Sequence, residues 1–198
     1  MNFDEAARAW DDDRRRERAK VLTNAILDTW LDEPGKVLDF GSGSGLIAFA
    51  LSPRAGVVYG YDPSRGMEQA FLEKRSVLKT RNVRFVNADE MRAERYDAIV
   101  SSMVLHHVRD VGAEIIGLKR LLAPGGRFYW IDLDADDGAF HANEPGFDGH
   151  NGFIRSEVFS ILKESGFRKV SIRTVFEGEK DVPSGLLPYS LFMAVAGE

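Results

Sequence analysis

A chain of 198 residues, 44% of them hydrophobic, is long enough to bury one core, and no Pro/Gly/Ser-rich stretch divides it. Its formal net charge of -5 and pI near 5.5 disfavour an extended nucleic-acid footprint, which needs a basic surface against the phosphates. The absence of cysteine excludes disulfides and thiolate chemistry, and no run of about 18 apolar residues is present to cross a bilayer.

The first residues, Met1-Asn2-Phe3-Asp4-Glu5, lack the basic and apolar regions of a signal peptide, so a soluble cytoplasmic protein is expected. Phe3, Ala6, Ala7 and Trp10 share one face of a predicted helix. After Asp11-Asp12-Asp13 a second helix repeats the pattern with Ala19, Leu22, Ile26 and Trp30. Leu22, Ile26 and Trp30 are expected to cover a sheet, whereas Phe3 and Trp10 suit either that role or the closing of a pocket. Asp11 to Arg16 read as a cap followed by a solvated basic face, with a substrate contact by Arg14 or Arg18 as the lesser reading.

Short β-rich runs near residues 36 to 40, 57 to 61, 83 to 87, 96 to 101 and 126 to 132 alternate with helices, as in parallel strands buried on both faces. The clearest helix has Asp110 as its N-cap, sets Val111, Ile115, Leu118 and Leu122 on one face, and stops at Pro124-Gly125-Gly126. Asp132 to Asn151, DLDADDGAFHANEPGFDGHN, is too long and polar for a simple connector and reads as a lid, with His141 and His150 as residues that reach a substrate. Asp132, Asp134 and Asp136 invite a calcium reading, but Asp137 stands where an EF-hand loop needs glycine and Asn143 where it needs glutamate. Four histidines at no recognisable ligand spacing give no metal site. Val170, Ile172, Thr174 and Phe176 then alternate with polar residues as a half-exposed strand near a sheet edge, and Tyr189 to Ala196 as a more buried one.

The most informative stretch is Val37-Leu38-Asp39-Phe40-Gly41-Ser42-Gly43-Ser44-Gly45, followed by the helix Leu46 to Leu51. An apolar strand ends in a carboxylate, and short side chains let the backbone approach a ligand. Gly41, Gly43 and Gly45 read G-x-G-x-G, whereas the dinucleotide fingerprint is G-x-G-x-x-G. Asp39 would repel a diphosphate and suits an amine or a cation. Asp62, roughly 20 residues beyond the turn and at the end of Val57 to Tyr61, is placed to accept both hydroxyls of a ribose. The site therefore favours a ribose and a positive charge over phosphates.

With these residues the chain resembles the class I S-adenosylmethionine (SAM)-dependent methyltransferases. Val83 to Asp89 looks like the family's third strand, ending in the acid that holds the adenine amino group; Tyr96 to Val108 resembles the fourth strand and the loop behind it; Leu118 to Phe128 is similar to the helix, Pro-Gly-Gly turn and fifth strand. His106-His107 and His150-Asn151-Gly152-Phe153 look most like the small-molecule branch that includes the quinone-biosynthesis methyltransferases. The resemblance runs from Val37 to Glu198 in the right order. It implies one α/β methyltransferase domain over 1–198, with a Rossmann-like, doubly wound, seven-stranded, mostly parallel sheet and a C-terminal antiparallel hairpin. Residues 1–33 become a helical cap or lid, and 134–154 a substrate-side loop.

The implied cofactor is S-adenosyl-L-methionine, with S-adenosyl-L-homocysteine as product. Asp39, Gly41, Ser42, Gly43, Asp62, Pro63, Asp89, Glu90, Ser101, Met103 and Trp10 are then its binding residues. A helix-starting role for Pro63, a capping role for Glu90 and a core role for Met103 stay open beside it. The sulfonium is already a good leaving group, so the protein has to align an O, N or C nucleophile of a small-molecule acceptor and exclude water. A base is needed only if that nucleophile must lose a proton, and imidazole suits neutral pH. His106 and His150 are the candidates; if the backbone is extended there, strand alternation lets only one of His106 and His107 face the pocket, and we take His106. No nucleic-acid partner and no membrane insertion are expected, and the chain is read as a monomer or homodimer.

Two rival readings are a non-catalytic SAM-binding protein of the same fold and a nicotinamide-dependent oxidoreductase. The second lacks a Tyr-x-x-x-Lys pair, since Tyr61 is followed at that spacing by Arg65 and Tyr129 by Leu133. No Asn-Pro-Pro-Tyr follows the fourth strand, which disfavours amino methylation of DNA bases or glutamine.

Overall fold

The computed structural model describes all residues except 1, 2, 8, 9, 31–33 and 145, and only the backbone of Ala6. The predicted parts of the N-terminal cap that fall on those residues lie outside the description. Apolar runs pair into one sheet of seven strands: β1 (Lys36–Phe40), β2 (Val57–Tyr61), β3 (Val83–Phe85), β4 (Tyr96–Ser102), β5 (Leu122–Leu133), β6 (Lys169–Val182) and β7 (Gly185–Gly197). Their order is β3-β2-β1-β4-β5-β7-β6. The first five are parallel, and β7 runs antiparallel between β5 and β6.

Helices cover both faces, which is why the central strands are apolar on both sides. Leu38, Ile99, Phe128 and Trp130 pack with Met91 of α5 (Ala88–Ala93), Ile115 of α6 (Val111–Arg120) and Leu162 of α7 (Arg155–Glu164). Val37, Val58, Val100 and Tyr129 pack on the other side with Leu22 of α2 (Asp13–Leu27), Ile47 of α3 (Leu46–Leu51) and Phe71 of α4 (Arg65–Leu78). No helix among the described residues is long and apolar enough to cross a membrane.

Several elements are shorter or shifted for local reasons. The first predicted helix is a single turn, α1 (Phe3–Ala6), and Trp10 lies beyond it. Asp12 caps α2 by accepting the Arg15 N–H at 2.7 Å. The helix stops at Leu27, so Trp30 sits past its end, donating to the Arg54 carbonyl at 3.1 Å and packing on Tyr129. β3 ends at Phe85 because Asn87 caps α5, accepting the Asp89 and Glu90 N–H groups at 3.0 Å while Glu90 accepts the Asn87 N–H at 2.9 Å. Pro63 precedes the α4 N-cap, Ser64, and does not occupy the first helical position; Leu122 begins β5 and does not extend the α6 face.

The acids after β5 are engaged within the chain. Asp134 holds Arg155 through two bonds of 2.6 and 2.7 Å and accepts from Ser190 Oγ at 2.6 Å. Asp136 accepts the Gly138 and Phe140 N–H groups at 2.8 Å. Asn143 donates to the Asp181 carbonyl at 2.9 Å. The predicted lid is thus a tied loop containing one 3-10 turn, Ala139–His141. β5 pairs with β7 only over Phe128–Leu133, so the rest of the β6–β7 hairpin projects past the C-terminal ends of the parallel strands as an arm.

The N-terminal segment docks on this frame through carboxylates. Asp4 accepts from Ser64 Oγ at 2.6 Å and from the Gly66 N–H at 2.9 Å. Asp11 accepts from Ser44 Oγ and pairs with Lys74 at 2.6 Å. Deleting residues 1–11 removes these contacts but no strand and no sheet-covering helix, so the remainder is expected to unfold cooperatively with near-native circular dichroism. A non-cooperative thermal transition in the truncated protein would make the segment part of the core.

Candidate active site

β1 has β2 on one side and β4 on the other, so the sheet's winding reverses between β1 and β4, the place where ligands enter such sheets. A cavity of about 410 Å³ lies there, within the size range of small-molecule sites. Its floor is the glycine turn. Gly41, Gly43 and Gly45 have φ of 73°, 53° and 87°, and at Gly41 a Cβ would collide with the Val104 side chain. The N–H groups of Gly41 and Ser42 both donate to the Tyr61 carbonyl, at 2.8 and 2.9 Å, which fastens the turn to the end of β2.

Asp62 accepts the Gly43 N–H through one oxygen and the Ser64 N–H through the other, each at 2.9 Å. Its orientation is fixed from both sides, and burial raises its pKa despite these bonds. Asp39 is buried, and its Oδ2 has no hydrogen-bond partner; the Oγ of Ser42 is in the same position. Desolvation pushes Asp39 up to about 7, against a bond from the Ala48 N–H and with added repulsion from Asp62. A ligand group that is cationic or rich in N–H would satisfy these atoms.

The roof comes from the chain's start. Phe3 meets Trp10 edge-on at 5.7 Å and His107 at 5.2 Å, and the Arg15 guanidinium lies 4.2 Å above the Trp10 ring. Pro63, Met67 and Met103 complete the lining. Met103 takes a left-handed φ of 59° as the chain leaves β4, a strained conformation secured by its N–H to the Ile131 carbonyl at 2.9 Å.

A second cavity of about 660 Å³ shares Phe3, Trp10, Arg15, Arg18, Met103 and His107 with the first. Phe176, Lys180, Leu186 and Tyr189 of the hairpin arm form one wall, and Phe140, His141 and Glu144 of the tied loop another. His106 reaches this space from the 3-10 turn Leu105–His107. Its Nδ1 is 2.5 Å from Asp132 Oδ1, and its backbone N–H donates to Asp132 Oδ2 at 3.2 Å. With the carboxylate as acceptor, the network assigns the ring proton to Nδ1 and leaves a lone pair on Nε2.

The turn also corrects the one-of-two expectation for the histidines. Because the backbone is not extended there, both line the second cavity, and His107 alone lines the first. Desolvation and the neighbouring His106 hold His107 down to about 4, so it is neutral at physiological pH.

Of the residues singled out in the sequence, Asp39, Gly41, Ser42, Gly43, Asp62, Pro63, Met103 and Trp10 meet at the first cavity. Others do not join them. Asp89 has a fully exposed side chain near Arg92, and Glu90 is occupied by the Asn87 capping box, because α5 begins at Ala88 where the third strand was expected to end in Asp89. Ser101 is buried within β4 with its hydroxyl unpartnered and lines neither cavity. His150 is also outside both: its Nε2 donates to the Val108 carbonyl at 3.0 Å and its backbone N–H to that of His106 at 2.7 Å, so it braces the turn that carries His106. Asp132, which the sequence places among the loop acids, stands near the end of an apolar strand and so repeats the signal of Asp39 and Asp62.

A family model described as a methyltransferase domain matches residues 10–172. The chain is 29% identical over 169 residues, 76% of its own length and 59% of the other's, to an uncharacterized methyltransferase of Schizosaccharomyces pombe. It is 26% identical over 147 residues, 70% of its length and 63% of the other's, to a ubiquinone biosynthesis O-methyltransferase of Pseudomonas savastanoi pv. phaseolicola. The matched stretch thus spans only about three fifths of these curated relatives. Among solved structures, a SAM dependent methyltransferase from Aquifex aeolicus superposes with a TM-score of 0.70 at 20% identity, over 98% of this chain and 97% of that one. Phosphoethanolamine N-methyltransferase 2 of Haemonchus contortus, in complex with S-adenosyl-L-methionine, does so with 0.72 at 17% identity, over 89% and 52%. At these identities the likeness is one of fold.

The buried Asp39 carboxyl makes a pH prediction for the free protein. Its folded pKa is raised, so its full contribution is present below the unfolded value of 3.8 and is lost as pH rises towards about 7. At roughly 1.4 kcal/mol per pH unit, the wild type is expected to lose about 2 to 3 kcal/mol between pH 5 and pH 7 relative to Asp39→Asn. Urea unfolding of both proteins across that range checks this, and parallel pH dependences would mean that Asp39 is ionised and satisfied in the fold.

Proposed function

Because the chain belongs to the family of methyltransferase domains, we propose that its first cavity binds SAM and its second a small-molecule acceptor that receives the methyl group. The observation that carries this reading is the adjacency of two cavities sharing Met103 and His107, one floored by a buried carboxyl with an unpartnered oxygen and the other lined by an imidazole whose Nδ1 is committed to a carboxylate.

The donor set suits SAM. Asp39 and the Ser42 hydroxyl are orphaned polar atoms fitted to an amino group, and Asp62, held by the Gly43 and Ser64 N–H groups, presents a carboxylate to vicinal hydroxyls. The close backbone at Gly41 and Gly43 leaves room for a ligand where a side chain would stand. Arg18, on the shared wall, has no carboxylate within 4 Å among the described residues; its guanidinium reaches only Tyr189 Oη at 3.4 Å, and it is the available counter-ion for the donor's own carboxylate. When bound, SAM supplies an electrophilic methyl group on a sulfonium.

The protein's own tasks are then to orient and to dry the site. Phe3, Trp10 and Met103 surround the junction with apolar surface, and the aromatic faces favour a neighbouring cation. A neutral His107 adds no charge to oppose it. His106, turned by Asp132, offers Nε2 to a proton of the acceptor from the far side of the junction. Asp132 is a positioning residue.

Asp62→Ala removes charge-assisted hydrogen bonds that contribute about 1.5 to 3 kcal/mol, so affinity for S-adenosyl-L-homocysteine is expected to fall roughly tenfold or more. Calorimetry with the wild type and the variant checks this, with NAD and ATP binding much more weakly than S-adenosyl-L-homocysteine to the wild type. Unchanged affinity in the variant removes the ribose assignment.

A further inference from the structure

We propose that Glu114, in the first turn of α6, accepts a hydrogen bond from the amino group of the donor's adenine in the first cavity, and so selects the base. This inference rests on the donor reading of that cavity and assigns a specificity residue to it.

The cavity runs across the rim of the sheet from one helical layer to the other. Strand alternation in β1 turns Asp39 towards α3, where it accepts the Ala48 N–H, and turns Phe40 towards the opposite core, beside Tyr61, Val104 and Val108. Arg18 of α2 lines the cavity from the first side and Glu114 of α6 from the second. Asp39, Ser42 and Arg18 fit the amino-acid end of the donor, and Asp62 fits its ribose. The flat base is left to the α6 side.

That side suits a heterocycle. Phe40 and Tyr61 stack on one another at 5.6 Å and 28°, and Val104 and Val108 add aliphatic surface. Such a wall covers the faces of a purine but offers nothing to its polar edge. Glu114 is the exception. It is half-buried on the same cavity, and among the described residues no hydrogen bond or ion pair reaches its carboxylate. Burial raises its pKa against the attraction of Arg92, whose guanidinium stands instead 3.8 Å from Asp89 Oδ1. A carboxylate in this position is satisfied by an N–H donor that arrives with the ligand.

Adenine brings that donor in its exocyclic amino group. A purine without the amino group leaves the carboxylate desolvated and unpaired, so the site rejects it more strongly than the loss of one contact alone would. The family resemblance gives the amino group to Asp89, the acid after β3. In this chain Asp89 lies in the first turn of α5 with a fully exposed side chain and lines neither cavity. Its neighbour Glu90 is occupied by the Asn87 N–H. Selection of the base therefore moves from the acid after β3 to the helix after β4.

The probes are S-adenosyl-L-homocysteine and its analogue with hydrogen in place of the purine amino group, each titrated calorimetrically into the full chain. The wild type is expected to bind the adenine compound roughly tenfold or more tightly than the analogue. Glu114→Ala should abolish that preference by weakening the adenine compound. Glu114→Gln, an isosteric change that keeps a neutral acceptor, should narrow it. Asp89→Asn should leave it unchanged, and Asp62→Ala should weaken both compounds alike because both carry the ribose. Equal affinities in the wild type, a full preference retained in both Glu114 variants, an equal loss of the two compounds in Glu114→Ala, or a preference abolished by Asp89→Asn would each overturn the proposal. Failure of the wild type to bind either compound would overturn the donor reading instead.

Discussion

Burial of the parallel sheet on both faces is the constraint from which the site follows. Between two helical layers apolar side chains dominate, so the carboxylates of the parallel strands sit near the strand ends. Asp39 near the end of β1, Asp62 just past β2 and Asp132 near the end of β5 all lie on the C-terminal rim. The reversal of winding beside β1 opens a cleft there, and the glycine turn lets backbone close its floor.

Desolvation then divides the rim into two electrostatic environments. In the first cavity, burial raises both Asp39 and Asp62, with repulsion from Asp62 adding to the first and from Asp4 to the second, so a positive ligand group is favoured there. In the second, Asp132 is already spent on His106 and Glu144 on Lys180. The first cavity is therefore short of positive charge, whereas the acids of the second already have partners.

The walls that separate and roof these cavities come from the chain's two ends. The start of the chain supplies Phe3, Trp10 and Arg18, and the hairpin arm supplies Phe176, Lys180 and Tyr189. They are linked by the Arg14–Asp181 pair, whose side chains are 71% and 67% exposed. Such a bridge contributes little, on the order of 0 to 1 kcal/mol. The more enclosed Asp11–Lys74 pair, about one-fifth exposed on each side, anchors the same segment to the glycine turn. The cover is thus attached to a rigid floor by polar contacts, a construction that leaves the sheet independent of it.

Contiguous patterns by themselves determined the alternation of strands and helices, the two C-terminal strands, the glycine turn and the meeting of Asp39 with Asp62, because periodicity and turn chemistry are written in neighbouring residues, whereas the antiparallel pairing of those last strands was implied by the family resemblance. Only the tertiary structure decided the rest. Asp89 faces solvent because the Asn87 capping box ends the strand and puts Asp89 in the first turn of α5. The partner of His106 depends on β4 and β5 pairing in the register that sets Ser102 beside Ile131, which brings together residues 26 apart in sequence. His141 reaches the same space only because Asp134, Asp136 and Asn143 tie its loop to α7, to its own backbone and to the hairpin. Strand register and loop anchoring are sums of many distant contacts, and no local stretch of sequence contains them.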